Sequence, residues 1–182
     1  MITFLLLTVV VCALAALWDL KAGLIPNWLT LGAAATGVLG HLVYGCEQGN
    51  WRAGLQAGAV SIAGLLVCSL APGVLYWKGG LGGGDLKLFA AIGALCGPML
   101  GIEIQMDALV VAAILAPARL AYDGRLLRVL AGTLAVVLNP FLPASRRRAL
   151  PPETLTSFRL GPAILAGAVL TVALRGYAGL SQ

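Results

Sequence analysis

The chain has 182 residues, of which 60% are hydrophobic and 10% charged, and its formal net charge is +5. A soluble domain carries charge on about a quarter of its residues, so this composition excludes an ordinary soluble protein and indicates an integral membrane protein. The positive charge does not indicate nucleic-acid binding, because basic residues collect in the cytoplasmic loops of membrane proteins.

Hydropathy predicts an all-α fold with six transmembrane helices, each close to the roughly 20 apolar residues that a bilayer requires. Helices are expected because lipid offers no hydrogen-bond partners to open backbone groups. The first apolar run lacks a preceding basic region, so it is predicted to be a span and not a cleaved signal peptide. All of 1–182 is expected to form one membrane-embedded domain. The predicted spans are 2–18, 28–44, 54–76, 86–104, 108–122 and 160–177.

The basic residues predict the orientation of the chain in the membrane. With the N-terminus outward, all but Arg52 and Arg175 of the 12 basic residues lie at or near the cytoplasmic side. Segment 126–142 is apolar but flanked by arginines, which favours a helix at the cytoplasmic surface, or one partly inserted, over a seventh span. The cytoplasmic basic residues are then Lys21, Lys78, Lys87, Arg119, Arg125, Arg128, Arg146, Arg147, Arg148 and Arg159.

Two aspartates lie at the predicted cytoplasmic edge of apolar segments: Asp19 in WDLKAGLIPN and Asp85 in KGGLGGGDLKL. An ionisable side chain beside a span is costly, which makes it a candidate functional residue. Two carboxylates brought together there can share a proton and activate water, as in an aspartic protease. A simpler interpretation stays open for each. Asp19 is then a solvated interfacial residue near Lys21, and Asp85 is the N-cap of the fourth helix.

The glycine run before Asp85 predicts a loop that another chain can approach closely. An extended peptide could reach Asp85 there, whereas a nucleotide loop is not indicated because no G-K-[ST] ending follows. The helix ends predict different protonation roles for the two aspartates. A helix dipole disfavours an anion at the C-terminus of the helix and favours one at its N-terminus. Asp19 is therefore predicted to hold the proton and Asp85 to act as the base.

Other residue types that often mark sites have plainer interpretations. Glycines at four-residue spacing, among them Gly93, Gly97 and Gly101, predict close helix packing. The four cysteines form no C-x-x-C motif, so neither a zinc site nor a redox pair is predicted. The single histidine, His41, lies in an apolar run and is interpreted as a packed or interfacial residue and not as a ligand.

These residues resemble the type IV prepilin peptidases, which are membrane aspartic proteases with a G-x-G-D motif. The resemblance implies that Asp19 and Asp85 are the catalytic pair and that no metal or organic cofactor is needed. Arg159-Leu160 stands where many relatives have a proline and an aromatic residue. The motifs that carry the resemblance are Asp19 with Ile25-Pro26-Asn27, then Gly82-Gly83-Gly84-Asp85-Leu86-Lys87, and Gly161-Pro162-Ala163-Ile164.

The resemblance also implies the substrate and its location. The expected partner is a prepilin or pseudopilin precursor with a short basic leader, cut after a glycine at the cytoplasmic face of the inner membrane. The sequence lacks the paired C-x-x-C domain of the bifunctional members, which methylate the trimmed pilin. It is therefore similar to the short, peptidase-only form of Flp (tight-adherence) pili, or to the archaeal preflagellin peptidases. The oligomeric state is not predicted.

Asn27 and Lys87 are predicted to support the site. Asn27 is expected to shape the turn into the second helix and could also hydrogen-bond Asp19. Lys87 either orients the leader, lowers the pKa of a carboxylate, or marks the membrane interface. Two other functions stay open as alternatives: a small transporter or ion pathway that uses the aspartates as cation or proton sites, and a scaffold that packs through its glycines. Transport predicts polar residues across the bilayer, while these spans are almost wholly apolar.

Overall fold

The computed structural model describes residues 2–122, 124 and 159–180, with side chains through Arg175 in the last range. All regular structure in this part of the chain is helical, as the sequence predicts. The predicted surface helix at 126–142 lies outside the described residues. The helices are α1 Ile2–Ala22, α2 Asn27–Gln48, α3 Trp51–Trp77, α4 Gly83–Tyr122 and α5 Gly161–Leu180.

Four of these helices, α1 to α4, are long and apolar enough to cross a membrane, and the apolar part of α5 is shorter, Gly161–Arg175. Large apolar side chains such as Leu6, Leu66 and Ile114 are exposed along them. Extended apolar surface of this kind is expected where helices face lipid. The chain is therefore a multi-pass membrane protein, but the prediction of six spans is wrong. The boundary predicted between 104 and 108 is not where α4 breaks, since its break lies at Gly97.

Gly97 divides α4 into two segments. Its backbone angles are φ 77° and ψ 175°, a conformation that glycine adopts without the steric penalty of a side chain. A Cβ on Gly101 would lie 3.0 Å from the Gly93 Cα, whereas residues eight apart in a straight helix are separated by about 12 Å. The chain therefore folds back at Gly97. Gly93 and Gly101 pack as predicted, and Gly97 makes the reversal.

The boundary predicted between 104 and 108 lies inside the helix, where two nearby carboxylates have partners on α5. Glu103 forms an ion pair with Arg175 of α5, at 2.7 Å. Asp107 accepts a hydrogen bond of 2.7 Å from the Thr171 hydroxyl, also on α5. Because α5 supplies partners for both carboxylates, α4 continues through them and no loop is needed.

Neighbouring helices satisfy the backbone where α4 reverses. Pro98 has no N–H, so the Ala94 carbonyl has no donor four residues ahead. The Ser61 hydroxyl of α3 donates to that carbonyl at 2.6 Å. Nε2 of His41 on α2 lies 2.8 Å from the next carbonyl, that of Leu95. The interpretation of His41 as a packed residue is confirmed.

The core surrounds the first segment of α4, where Leu88, Phe89, Ile92 and Leu95 are fully buried. Apolar residues of α1, α2 and α5 pack around it. The chain divides into two compact units, Met1–Ala112 with Arg159–Gln182, and Ala113–Phe158. The candidate site lies wholly within the first unit, next to this buried segment.

Candidate active site

A pocket of about 490 Å³ lies where α1 ends and where α2 and α4 begin. Its walls come from three parts of the chain: the end of α1, the turn into α2, and the glycine-rich start of α4. The structure brings every predicted site residue to this one pocket. Its lining includes Asp19, Asn27, Gly82, Gly83, Gly84, Asp85 and Lys87.

Asp19 is fixed by the first residue of α5. The carboxylate lies one turn before the end of α1, and the residue is only 6% exposed. Oδ2 accepts a hydrogen bond of 3.0 Å from the Gly161 N–H. A Cβ on Gly161 would lie 2.8 Å from this oxygen and 2.9 Å from the Asp19 Cβ. Glycine is therefore the residue that allows α5 to begin directly against the carboxylate.

Asp85 is the third residue of α4 and is half-buried. The N-cap interpretation is wrong, because Gly82 precedes the helix and its carbonyl accepts the Leu86 N–H at 3.2 Å. The Asp85 side chain turns back over that residue, where a Cβ on Gly82 would lie 3.0 Å from Oδ2. An acidic group in the first turn of a helix interacts favourably with the helix dipole.

The start of α4 packs directly on the turn that follows α1. A Cβ on Gly84 would lie 3.1 Å from the Ile25 Cβ, and Ile25 is buried. A larger residue at this position would push the first turn of α4 away from the Ile25-Pro26-Asn27 turn. The close approach therefore sets how near Asp85 comes to the end of α1.

Asn27 and Lys87 connect the second and fourth helices across the pocket wall. Oδ1 of Asn27, the first residue of α2, accepts a hydrogen bond of 2.8 Å from the Lys87 Nζ. Among the described residues, the expected hydrogen bond between Asn27 and Asp19 is not formed, and the Asn27 oxygen accepts from Lys87. Lys87 thus lines the same pocket as the two aspartates, with its ammonium group bonded to Asn27.

The positive end of a helix lies beside each of the two carboxylates. Along the sequence, Asp19 is next only to the C-terminal end of α1. The structure also places the N-terminus of α5 there, so each carboxylate interacts with the positive end of a helix. The assignment of Asp19 as the proton holder and Asp85 as the base stays a prediction.

Two residues that contact the end of α1 were not predicted as site residues. Gly161 bonds Asp19 across 142 positions of sequence, and the Arg159 guanidinium donates to the Leu20 carbonyl at 2.6 Å. No local pattern identifies such contacts, although the Gly161-Pro162 pair was a signal for a helix start.

The pocket chemistry suits proton transfer at the membrane surface. Two carboxylates can position a water molecule and exchange protons with it. Among the described residues, no group of three or more His, Cys, Asp or Glu side chains could hold a metal ion.

Trp18 and Trp28, which adjoin Asp19 and Asn27 in sequence, are exposed and meet edge-on with centroids 5.7 Å apart. Tryptophan favours the membrane–water interface, which indicates the level of the pocket.

Comparison with known proteins identifies a family. The model described as the type IV leader peptidase family matches residues 6–119, more than half of the chain. The matched range contains Asp19, Asp85 and the turns around them, whereas Arg159 and Gly161 lie beyond it. No curated protein and no solved structure matches the chain.

Proposed function

This chain belongs to the type IV leader peptidase family, and we propose that it removes the short basic leader from type IV prepilins of the Flp type. Asp19 and Asp85 are the proposed catalytic residues, and water is the proposed nucleophile. The observation that carries the proposal is that both carboxylates line one pocket at the end of apolar helices.

The proposed reaction is hydrolysis of one peptide bond by general acid–base catalysis. One carboxylate takes a proton from water while the water oxygen bonds to the scissile carbonyl carbon. The other carboxyl group donates a proton as the carbon–nitrogen bond breaks, which releases the leader with a new carboxylate and the pilin with a new amine. Positioned acid and base groups of this kind contribute about 10²–10⁴-fold each to a rate.

The surroundings of the pair fit a substrate that leaves the bilayer at this point. A prepilin combines a short polar leader with an apolar helix, so its cleavage site lies at the membrane surface. The exposed Trp18 and Trp28 mark that level beside the pocket. The glycines of the α4 start present little side-chain bulk to an extended peptide, while the acidic pair attracts a basic leader.

The cellular location in this proposal follows from the basic residues. With the N-terminus outward, the pocket faces the cytoplasm at the inner membrane, where a precursor would first meet it. The Flp assignment rests on the resemblance to the short form, since the four cysteines of this sequence form no C-x-x-C pair.

Co-expression with Flp prepilins tests the proposal, with mass spectrometry of the pilin N-terminus as the measurement. The wild type is expected to produce a new N-terminus directly after a leader glycine. Asp19→Asn and Asp85→Asn are each expected to leave the precursor intact while accumulating in the membrane at the wild-type level.

Asp107→Asn is the matched control for these variants. Asp107 also accepts a hydrogen bond from α5, at 2.7 Å from Thr171, but it does not line the pocket. Processing by this variant together with loss in both pocket variants supports the catalytic pair. Normal processing by either Asp19→Asn or Asp85→Asn contradicts it. If the wild type cleaves no prepilin, the transport alternative gains weight, and a proteoliposome flux assay would test it directly.

A further inference from the structure

We infer that Arg159 is a positioning residue for Asp19, an inference that rests on the proposed peptidase function. Nη1 of Arg159 donates a hydrogen bond of 2.6 Å to the carbonyl of Leu20, the residue that directly follows Asp19. The guanidinium thus holds the backbone beside the carboxylate. It forms this contact across 139 positions of sequence.

The end of α1 explains why that carbonyl needs a partner. The last carbonyls of a helix have no donor within the helix. The Asp19 carbonyl is satisfied at 2.9 Å by the N–H of Gly23, whose φ of 66° ends the helix. The next carbonyl, that of Leu20, takes its hydrogen bond from Arg159. A basic group at this position also complements the negative end of the helix.

The same short segment holds Asp19 at two points. Arg159 bonds the backbone after Asp19, and Gly161 bonds its carboxylate at 3.0 Å. These two contacts fix both the height of the last turn of α1 and the direction of the side chain. Misplacement of a catalytic group by about 1 Å can cost about 10²-fold in rate. Loss of one of the two contacts is therefore expected to cost less, about tenfold.

Arg159 acts on the backbone of α1 and does not contact the proposed reacting groups. Its hydrogen bond is to a carbonyl oxygen, and the pocket lining formed by 19–27 and 82–87 does not include it. The residue is also exposed, so its replacement removes little core packing. Replacement of Arg159 is therefore expected to lower kcat while the protein stays folded.

Arg175 offers a matched control on α5. It is also exposed, and its guanidinium also bonds a neighbouring segment, with Nη2 2.7 Å from Glu103 Oε1. That contact is to α4, distant from Asp19. Arg159→Gln and Arg175→Gln therefore each remove one arginine contact between segments, but only the first acts on the proposed site.

The experiment measures cleavage of a purified prepilin by the full-length chain in detergent, with kcat and KM determined separately. We expect Arg159→Gln to lower kcat about tenfold and to leave KM within twofold. Arg159→Lys retains a donor and a positive charge, so it should restore most of kcat. Arg175→Gln should retain wild-type kcat. The melting temperature of each variant reports its folding.

Three results would overturn the inference: wild-type kcat in Arg159→Gln, equal losses in Arg159→Gln and Arg175→Gln, or no recovery in Arg159→Lys. Asp85→Asn in the same assay separates this inference from the proposed function. If Asp85→Asn still cleaves, the peptidase mechanism itself fails. If only the Arg159 results fail, the mechanism stands and the positioning role is wrong.

Discussion

The two carboxylates of the pocket are held in different ways. Asp19 is buried, and a residue 142 positions away fixes its side chain. Asp85 is half-buried, and the glycine directly before it lets α4 begin against the Ile25 turn. Asp85 therefore depends on packing against the turn that follows α1, whereas Asp19 depends on the last helix closing against the first.

The largest expected loss of cleavage comes from changing Gly161, which bonds Asp19. In Gly161→Ala the new Cβ would lie 2.8 Å from Asp19 Oδ2 and 3.2 Å from the Ala16 Cα, so α5 and α1 must separate. We expect cleavage to fall by about 10²-fold, because the carboxylate moves relative to the substrate. The prepilin assay in detergent measures this loss.

Gly73→Ala is the control for that variant. Gly73 is also a helical glycine, but a Cβ there would meet nothing within 4 Å. It should keep the wild-type rate and melting temperature. Cleavage by Gly161→Ala at the wild-type rate would show that Asp19 does not depend on α5, and the contrast between the two carboxylates would be lost.

The corresponding variant on the Asp85 side should have a smaller effect. In Gly84→Ala the new Cβ would lie 3.1 Å from the Ile25 Cβ, and a shift of a few tenths of an ångström relieves that contact. We expect about a tenfold loss of kcat. Gly32→Ala, where nothing lies within 4 Å, should be unaffected. A loss in Gly84→Ala as large as in Gly161→Ala would mean that both carboxylates are held with equal rigidity.

Loss of the hydrogen bond between Lys87 and Asn27 should lower the cleavage rate less than Gly84→Ala does. Asn27→Ala and Lys87→Met each remove this exposed 2.8 Å contact, and we expect each to lower cleavage about fivefold. The double variant should lose no more than the worse single one, because both changes remove one interaction. Losses that multiply would indicate that Lys87 contacts the substrate independently of Asn27.

The smallest effect on cleavage is expected away from the pocket. Ser61→Ala leaves the buried Ala94 carbonyl without the donor at 2.6 Å. The unfolding free energy should fall by about 1–3 kcal/mol, while kcat at a permissive temperature stays within twofold. Thermal denaturation and the prepilin assay distinguish the two quantities. A large loss of kcat in a folded Ser61→Ala protein would show that the reversal at Gly97 influences the site.

The sequence predicts those parts of the molecule that depend on neighbouring residues. Apolar runs locate α1, α2 and α3, although each helix extends beyond its predicted span, since a helix can continue into water. The motifs around Asp19 and Asp85 correctly predict that they share one end of the helices. The glycines that precede Asp85 in the sequence also indicate that another part of the chain can approach it closely.

The errors occur where a distant partner changes the outcome. The boundary predicted between 104 and 108 contains Asp107, which accepts a hydrogen bond from Thr171 inside a helix. The reversal lies instead at Gly97, where the following Pro98 was the available signal. The sequence did not predict that the Asn27 oxygen accepts a hydrogen bond from Lys87, which lies one turn into α4. Such pairings depend on how the helices pack, and residue spacing does not encode them.

Comparison of Asp19→Asn, Asp85→Asn and the combined variant is the most direct test of the account. The measurement is single-turnover cleavage of a prepilin in detergent, with folding checked by thermal denaturation. If the carboxylates act as one pair, each single variant loses nearly all activity and the combined variant loses no more than the worse single one. Single losses that multiply in the combined variant, or appreciable cleavage without one of the carboxylates, would contradict the shared mechanism.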